Sequence, residues 1–229
     1  MRILALETSA KACSAALTED GRVVASAYQC TGLTHSRTLM PMVKDMLANA
    51  EIPIEDCGAI AVANGPGSFT GLRIGIAAAK GLAFAAGIPA VGISTLEAMA
   101  TGAACMDGLI VCAMDARRQQ VYNAVFSAEN GELTRFSPDR PIGLAALGEE
   151  LRNVEKRKII VGDGAALCYN YFLEHGIACV MAPPHLVMQS AVFVALAAER
   201  ELSAGRGVSA QELSPVYLRP AQADRLRNK

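Results

Sequence analysis

A glycine-rich loop is the stretch of this sequence that most resembles a catalytic or binding motif. The run GPGSFTGLRIG, residues 65–75, joins an apolar segment to a helical pattern, as phosphate-binding loops do. The P-loop requires G-x-x-x-x-G-K-[ST], and the dinucleotide fingerprint requires G-x-G-x-x-G. Counted from Gly65, both motifs need a glycine where Thr70 stands, and no Lys-Ser or Lys-Thr follows. We therefore predict a turn that caps the next helix through Ser68 or Thr70, and not a phosphate cradle.

The histidines and cysteines do not form a catalytic or metal-binding set. His35, His175 and His185 are far apart in the sequence, and the seven cysteines include no C-x-x-C pair. This spacing argues against a zinc site or a disulfide framework and favours reduced thiols in a cytosolic protein. No Ser-His-Asp arrangement supports a peptidase. We predict no catalytic residue, no metal ligand and no cofactor-binding residue.

A charged hairpin is a candidate for anion contact. Asp115 is followed by Arg117 and Arg118 between two strand-like segments. These side chains suit either a contact with a phosphate or a nucleic acid, or a solvated turn with an internal ion pair that contributes little stability. We favour the turn.

The composition indicates a protein with a large core and no overall attraction for polyanions. Of 229 residues, 52% are hydrophobic, and the formal net charge is −1. Such a charge gives no global reason to bind nucleic acid or an acidic membrane. The longest apolar region, residues 74–93, contains Lys80 and Pro89, so we interpret it as a buried helix, a turn and a strand. We expect a cytoplasmic protein without membrane contact.

The order of predicted elements occurs twice. Each half begins with a strand hairpin and continues with another strand, a helix, a strand and a helix. The junction lies near TGAACMDG, residues 101–108. We therefore predict an N-terminal subdomain over residues 1–104 and a C-terminal subdomain over residues 105–229, which ends in a basic tail.

Two helices predicted in the first half are more apolar than is usual for helices on the surface of a single domain. The helix predicted at residues 34–50 is rich in methionine, and that at 71–86 has small residues along one face. Small side chains let another helix approach closely, and methionine adapts to partner surfaces. Ordinary core packing is the alternative. The predicted partner interface comprises Leu39, Met42, Val43, Met46, Gly71, Ile74, Gly75, Ala78 and Leu82. Substitution Gly75→Leu is expected to abolish pairing without unfolding the chain.

Six runs along the sequence together resemble one protein family. They are ILALETSAKACSAAL, THSRTLMPMV, GPGSFTGLRIG, VGISTLEAMA, MDARRQQVY and PVYLR. They resemble the bacterial TsaB family, also called YeaZ, of tRNA threonylcarbamoyladenosine biosynthesis proteins. The resemblance implies an α/β fold of the actin-like, sugar-kinase and Hsp70-type ATPase class. In that class, two subdomains, each with a mixed sheet flanked by helices, usually hold nucleotide in the cleft between them.

The resemblance also implies a function without catalysis by this chain. TsaB-like proteins pair with a catalytic relative, TsaD, and act with the ATPase TsaE to modify an adenine beside the tRNA anticodon. TsaD-like chains carry a metal-binding His-x-x-x-His where Thr95 and Met99 stand here. Neither side chain suits a hard or borderline metal. We expect a scaffold subunit that pairs with a TsaD-like paralogue and a TsaE-like ATPase, meets tRNA only through the complex, and forms a homodimer when alone.

An independent ATP-binding kinase or hydrolase of the same fold is the alternative. The first hairpin has the acidic residue Glu7, the hydroxyls of Thr8 and Ser9, and Lys11. It lacks the glycine that usually follows in the ATPases of this fold, so we expect no working nucleotide site.

Overall fold

The first half of the chain forms a five-stranded mixed sheet. The computed structural model describes residues 1–219. The elements of this half are β1 (Arg2–Glu7), β2 (Cys13–Glu19), β3 (Arg22–Gln29), α1 (His35–Ala50), β4 (Ala59–Gly65), α2 (Phe69–Ala86), β5 (Ala90–Ser94) and α3 (Thr95–Gly102). The strand order is β3-β2-β1-β4-β5, in which β1, β4 and β5 are parallel to one another. The predicted hairpin, third strand and alternating helices and strands are present in this half.

The second half repeats the plan with a divided third strand. Its elements are β6 (Gly108–Asp115), β7 (Gln120–Glu129), β8 (Glu132–Arg135), β9 (Arg140–Gly143), α4 (Leu144–Arg152), β10 (Lys158–Val161), α5 (Ala165–Glu174), β11 (Val180–Met181), α6 (Pro184–Val187) and α7 (Ala191–Ser203). The order β11-β10-β6-β7-β8 mirrors the first sheet, and β9 pairs with the other part of β7. The predicted doubling of the plan is confirmed.

Four elements of the second half were not predicted. Strand β11 has two residues and helix α6 has four, so neither is long enough to show a hydrophobic period. Strand β9 contains Pro141, which weakens a strand signal. Helix α5 is rich in aromatic residues, which are only moderate helix formers.

The last helix of each half packs against the sheet of the other half. Leu96 and Met99 of α3 share a core with side chains of β6 and β7. Val194 and Ala195 of α7 share a core with side chains of β1 and β4. The predicted boundary between residues 104 and 105 therefore does not separate two packing units. This exchange joins the halves, because each sheet needs a helix from the other half to cover its inner face.

The chain after α7 also returns to the first half. Val208 pairs with Ala90 in an isolated antiparallel bridge, and Leu213 is buried in the first core. The amide of Val216 donates to the carbonyl of Asn64 at 2.8 Å. We call residues 213–219 the C-terminal strap. The predicted basic tail, from residue 220, lies outside the described residues.

Helix α1 packs one face on the first sheet. Leu39, Val43 and Met46 recur at helical spacing and are buried there. Pro41 is exposed in the second turn of the helix.

Helix α2 covers the same core with only part of its surface. The Ser68 side chain accepts a hydrogen bond from the Gly71 amide and caps its start, as predicted. Gly87 ends it in the left-handed conformation, with φ 67°. By length and composition alone α2 could cross a membrane, with a mean hydropathy of 1.3, and 33% of it is buried. A single such helix is weak evidence for a span, and its buried side packs on the sheet.

Candidate functional site

A cleft of about 490 Å³ lies between the two halves, at the carboxyl ends of parallel strands. Glu7 ends β1, Asp115 ends β6, and Asp163 follows β10. Ligands of open α/β sheets usually bind at this edge, where strand order reverses. The cleft is lined by Ser9, Ala10, Lys11, Gly67, Ser68, Phe69, Met114, Asp115, Ala116, Arg117, Tyr122 and Asp163.

Glu7 is a fully buried carboxyl at the base of the first hairpin. Its Oε1 accepts a 2.5 Å hydrogen bond from the Ser9 amide, whereas no described group bonds to its buried Oε2. Burial, with a smaller contribution from the nearby Asp163 carboxylate, raises the pKa of Glu7 from 4.5 to about 7. Glu7 therefore exchanges its proton near neutral pH.

Asp163 is a second carboxyl whose charge is disfavoured. Its pKa is raised, mainly by burial. The Gln189 side-chain amide donates to it at 3.1 Å, which favours the charged form. The Asp163 carboxyl lines the cleft, and burial favours the neutral form of both acids.

The glycine-rich loop packs directly on the first hairpin. The Ser68 amide donates to the carbonyl of Ser9 at 2.7 Å. A Cβ atom on Gly67 would lie 2.5 Å from the same carbonyl oxygen, so only glycine fits there. Because the Ser68 amide is already satisfied, the loop acts as a capped turn, as the sequence predicted.

Arginine and aromatic side chains meet at one side of the cleft mouth. The Arg73 guanidinium lies 3.9 Å from the centre of the Phe69 ring, and its Nε donates to the Tyr217 hydroxyl at 3.1 Å. The rings of Phe69 and Tyr217 are 5.0 Å apart. The strap and the start of α2 therefore form one cluster.

The strap also reaches the second half. The Arg219 guanidinium donates to the carbonyl of Ala116 at 3.0 Å and to the Gln120 side chain. It lies 5.5 Å from the centre of the Tyr122 ring. The strap thus holds both sides of the cleft mouth. In the sequence the run PVYLR indicates only the family resemblance, and its contacts with both halves were not predicted.

The hairpin between β6 and β7 is the predicted turn with an internal ion pair. The Asp115 carboxylate accepts from the Arg117 amide at 2.7 Å and from its guanidinium at 3.3 Å. Arg117, Arg118 and Gln119 all have positive φ, at 66°, 55° and 57°. Such angles are unusual for side-chain-bearing residues. Both arginines are exposed, and Arg117 lines the cleft.

Five of the nine predicted interface residues are buried inside this chain. They are Leu39, Val43, Met46, Gly71 and Gly75. The structure corrects this part of the prediction, because such residues hold α1 and α2 on the first sheet and do not face a partner. A Cβ atom on Gly71 would lie 2.1 Å from the carbonyl oxygen of Thr8, and one on Gly75 would lie 2.4 Å from its Oγ1. Gly75→Leu would therefore damage the core, contrary to our expectation.

The other four predicted residues are half-buried and stay a prediction. They are Met42, Ile74, Ala78 and Leu82. The last three follow one edge of α2, beside the exposed Ala77, Gly81 and Phe84. We call these six α2 residues the α2 outer face. Phe84 has 75% of its surface exposed, and sequence analysis had not included it.

The residues at the position of the family's metal motif are core residues. Thr95 and Met99 are both buried, and Met99 packs with the second sheet. His35 bonds to the carbonyl of Ala10 at 2.8 Å, and His175 to that of Tyr171 at 2.8 Å. Neither contact is with a nucleophilic side chain. Within residues 1–219, no three His, Cys, Asp or Glu side chains cluster as metal ligands.

Known proteins are similar to this chain in sequence and in fold. The chain matches the family model for TsaD, tRNA N6-adenosine threonylcarbamoyltransferase, over residues 29–207. It is 35% identical to the tRNA threonylcarbamoyladenosine biosynthesis protein TsaB of Escherichia coli (strain K12), over 96% of this chain and 95% of that protein. YeaZ from Pseudomonas aeruginosa superposes with a TM-score of 0.76 at 28% identity, covering 95% of this chain and 99% of that one.

A sugar kinase supports the fold class. The ROK hexokinase from Thermus thermophilus has a TM-score of 0.51 at 12% identity, over 90% of this chain and all of that one. At that identity the likeness shows the fold alone, and it confirms the expected actin-like and sugar-kinase class. The chain belongs to the TsaB family, also called YeaZ, and has a role in the biosynthesis of threonylcarbamoyladenosine in tRNA.

Proposed function

We propose that this chain is a non-catalytic subunit of a tRNA threonylcarbamoyladenosine-modifying complex. It pairs with a TsaD-like catalytic paralogue, acts with a TsaE-like ATPase, and works in the cytoplasm. The observation that carries the proposal is the α2 outer face. Helix α2 is apolar along its length, yet only 33% of it is buried. The sheet covers one side of the helix, and the apolar side that it leaves exposed suits a partner.

The shape of the α2 outer face suits a second helix. Ala77 and Gly81 are one turn apart and exposed, and Phe84 follows on the same side. Small residues at that spacing let helix backbones approach closely, and an exposed ring fills a pocket on the partner. Since the TsaD family model matches this chain over residues 29–207, a chain of the same fold is a natural partner. In isolation, a second copy of this chain covers the face.

The chain itself carries out no chemistry in this proposal. Glu7 is fully buried and accepts a hydrogen bond from the Ser9 amide, and the proposal gives it no catalytic function. The proposal is that the cleft is a remnant of an ATPase fold, kept for its shape. An ATP-dependent enzyme is the competing function, and it requires that the isolated chain binds ATP.

Gly81 offers a sharper test than Gly75. A Cβ atom there meets nothing within 4 Å, and replacing a helix glycine raises helix propensity by up to about 1 kcal/mol. Gly81→Gln should leave the chain folded and block close helix approach. Gly143→Gln is the matched control, since its Cβ also meets nothing within 4 Å and it lies in the other half.

Light scattering after size exclusion measures the outcome. The chain is mixed with the His-x-x-x-His-bearing TsaD-like protein of the same genome, with and without nucleotide. We expect wild type and Gly143→Gln to form the mixed complex, and Gly81→Gln to lose it and to become monomeric alone. If Gly81→Gln pairs as tightly as wild type, the interface is elsewhere. If no variant pairs and the isolated chain binds ATP, the scaffold function is wrong.

A further inference from the structure

Cationic side chains from four separate parts of the sequence surround the cleft mouth. Lys11 comes from the first hairpin, Arg73 from α2, Arg117 and Arg118 from the second hairpin, and Arg219 from the strap. We call these five residues the basic rim. Lys11 and Arg117 line the cleft, and the contacts of the strap link Arg73 and Arg219 to it. Arg118 belongs to the rim as the exposed neighbour of Arg117 in the same turn.

The basic rim keeps its positive charge. Among the described residues, the one carboxylate within 4 Å of any of its cations is Asp115, beside Arg117. Asp163 and Glu7 lie deeper, and burial raises the pKa of both, so they neutralise the rim less than free carboxylates would. The net charge of the whole chain, −1, conceals this local excess of positive charge.

Two rim arginines are held in place without losing their capacity to bind an anion. Arg73 is held by Phe69 and the Tyr217 hydroxyl, and Arg219 by a carbonyl and an amide side chain. None of these partners is charged. A guanidinium has five N–H donors, and the described contacts use one on Arg73 and two on Arg219. Both retain donors for phosphate oxygens.

The hairpin adds two arginines directed into solvent. Three successive left-handed residues, Arg117, Arg118 and Gln119, cost about 1 kcal/mol each. Arg117 has 85% of its side chain exposed. Glycine or asparagine would adopt these angles at less cost. Arginines at such positions lower stability and keep two cations exposed, which is typical of a functional loop.

We propose that the basic rim binds the phosphate backbone of RNA. Guanidinium groups suit a nucleic acid because they pair with phosphates, and the exposed Tyr217 ring beside them offers a surface on which a base can stack. The position of the charges favours a polymer over a mononucleotide, since the cations lie around the mouth and acids line the floor. The inference rests on the proposed function, in which tRNA is the substrate of the complex. It replaces the expectation that tRNA meets this chain only indirectly.

Fluorescence anisotropy with an unmodified tRNA transcript tests the rim on the full chain alone. The test variant is Arg117→Ala/Arg118→Ala. The control is Arg22→Ala/Arg157→Ala, which removes the same charge from two exposed positions. Arg22 begins β3 and Arg157 precedes β10, at the opposite end of the parallel strands. We expect the test variant to weaken binding about tenfold at low salt and to lower the slope of log K against log salt by about 1 to 2. The control should match wild type.

Three results would overturn the inference. Wild type binds no RNA, or the two double variants weaken binding equally, or only pairing with the TsaD-like protein is lost and RNA binding is unchanged. The last result would mean that the basic rim contacts the TsaD-like protein and not RNA. ATP is titrated in parallel. If wild type binds ATP but no RNA, and the test variant loses ATP binding, the basic rim binds a nucleotide instead of RNA. Since complex formation is measured separately with Gly81→Gln, failure of the rim leaves the scaffold proposal intact.

Discussion

Removing the charge of Glu7 should make the protein more stable, and by an amount that depends on pH. Each tenfold change in proton affinity corresponds to about 1.4 kcal/mol. A carboxyl whose pKa rises from 4.5 to about 7 therefore costs on the order of 3 kcal/mol when it is ionised in the fold. Glu7→Gln removes that cost and keeps an oxygen to accept from the Ser9 amide.

The sign follows from proton binding. Between about pH 4.5 and pH 7 the folded protein holds a proton on Glu7 that the unfolded chain has lost. The contribution of Glu7 to the free energy of unfolding is therefore full below pH 4.5 and declines as pH rises to about 7. The difference between Glu7→Gln and wild type should be small at pH 4.5, grow up to pH 7 and stay constant above it.

Urea denaturation of both proteins from pH 4.5 to pH 8.5 measures this difference. Glu55→Gln, at an exposed position, is the control and should show no such trend. A constant difference between Glu7→Gln and wild type across the range would refute the reasoning, as would a variant that is less stable at pH 8. A constant difference would mean that Glu7 has the same pKa in the folded and unfolded states, and a less stable variant would mean that the fold stabilises the ionised carboxylate.

Three further predictions concern the elements around the cleft. Ser68→Ala removes the cap of α2 and should lower the free energy of unfolding by about 1 kcal/mol in urea denaturation; an equal loss in Thr70→Ala would contradict the assignment of the cap. Arg219→Ala frees the strap from the second half. Because the lost hydrogen bonds contribute about 1 to 2 kcal/mol, amide hydrogen exchange in residues 213–219 should become about tenfold faster. Unchanged exchange would show that other contacts hold the strap. Gly75→Ala places a methyl group 2.4 Å from Thr8 Oγ1 and should lower the melting temperature by several degrees, for a cost of about 1 to 3 kcal/mol; a higher melting temperature would show that helix propensity outweighs the close contact.

Local patterns in the sequence were sufficient for most of the fold. Alternating and continuous apolar runs located all the strands of the first sheet, and the helical spacing of Leu39, Val43 and Met46 located α1. The Ser68 cap and the Asp115–Arg117 turn followed from residues close together in the chain. Each of these features depends on hydrogen bonds or packing between neighbours in sequence, which is why single-sequence reasoning reached them.

Neither the buried side of each helix nor the contacts between distant segments could be predicted from local sequence patterns. The sequence determined that α1 and α2 are unusually apolar, but not which side of each helix meets the sheet. Only the tertiary structure decided that Gly75 faces Thr8 and that Gly81 faces outward, because the direction of a face depends on how the helix rests on β1 and β4. It also decided that α3 and α7 exchange sheets. The basic rim likewise exists only in the fold, since its cations come from segments separated by up to about two hundred residues and spacing along the chain carries no sign of their proximity.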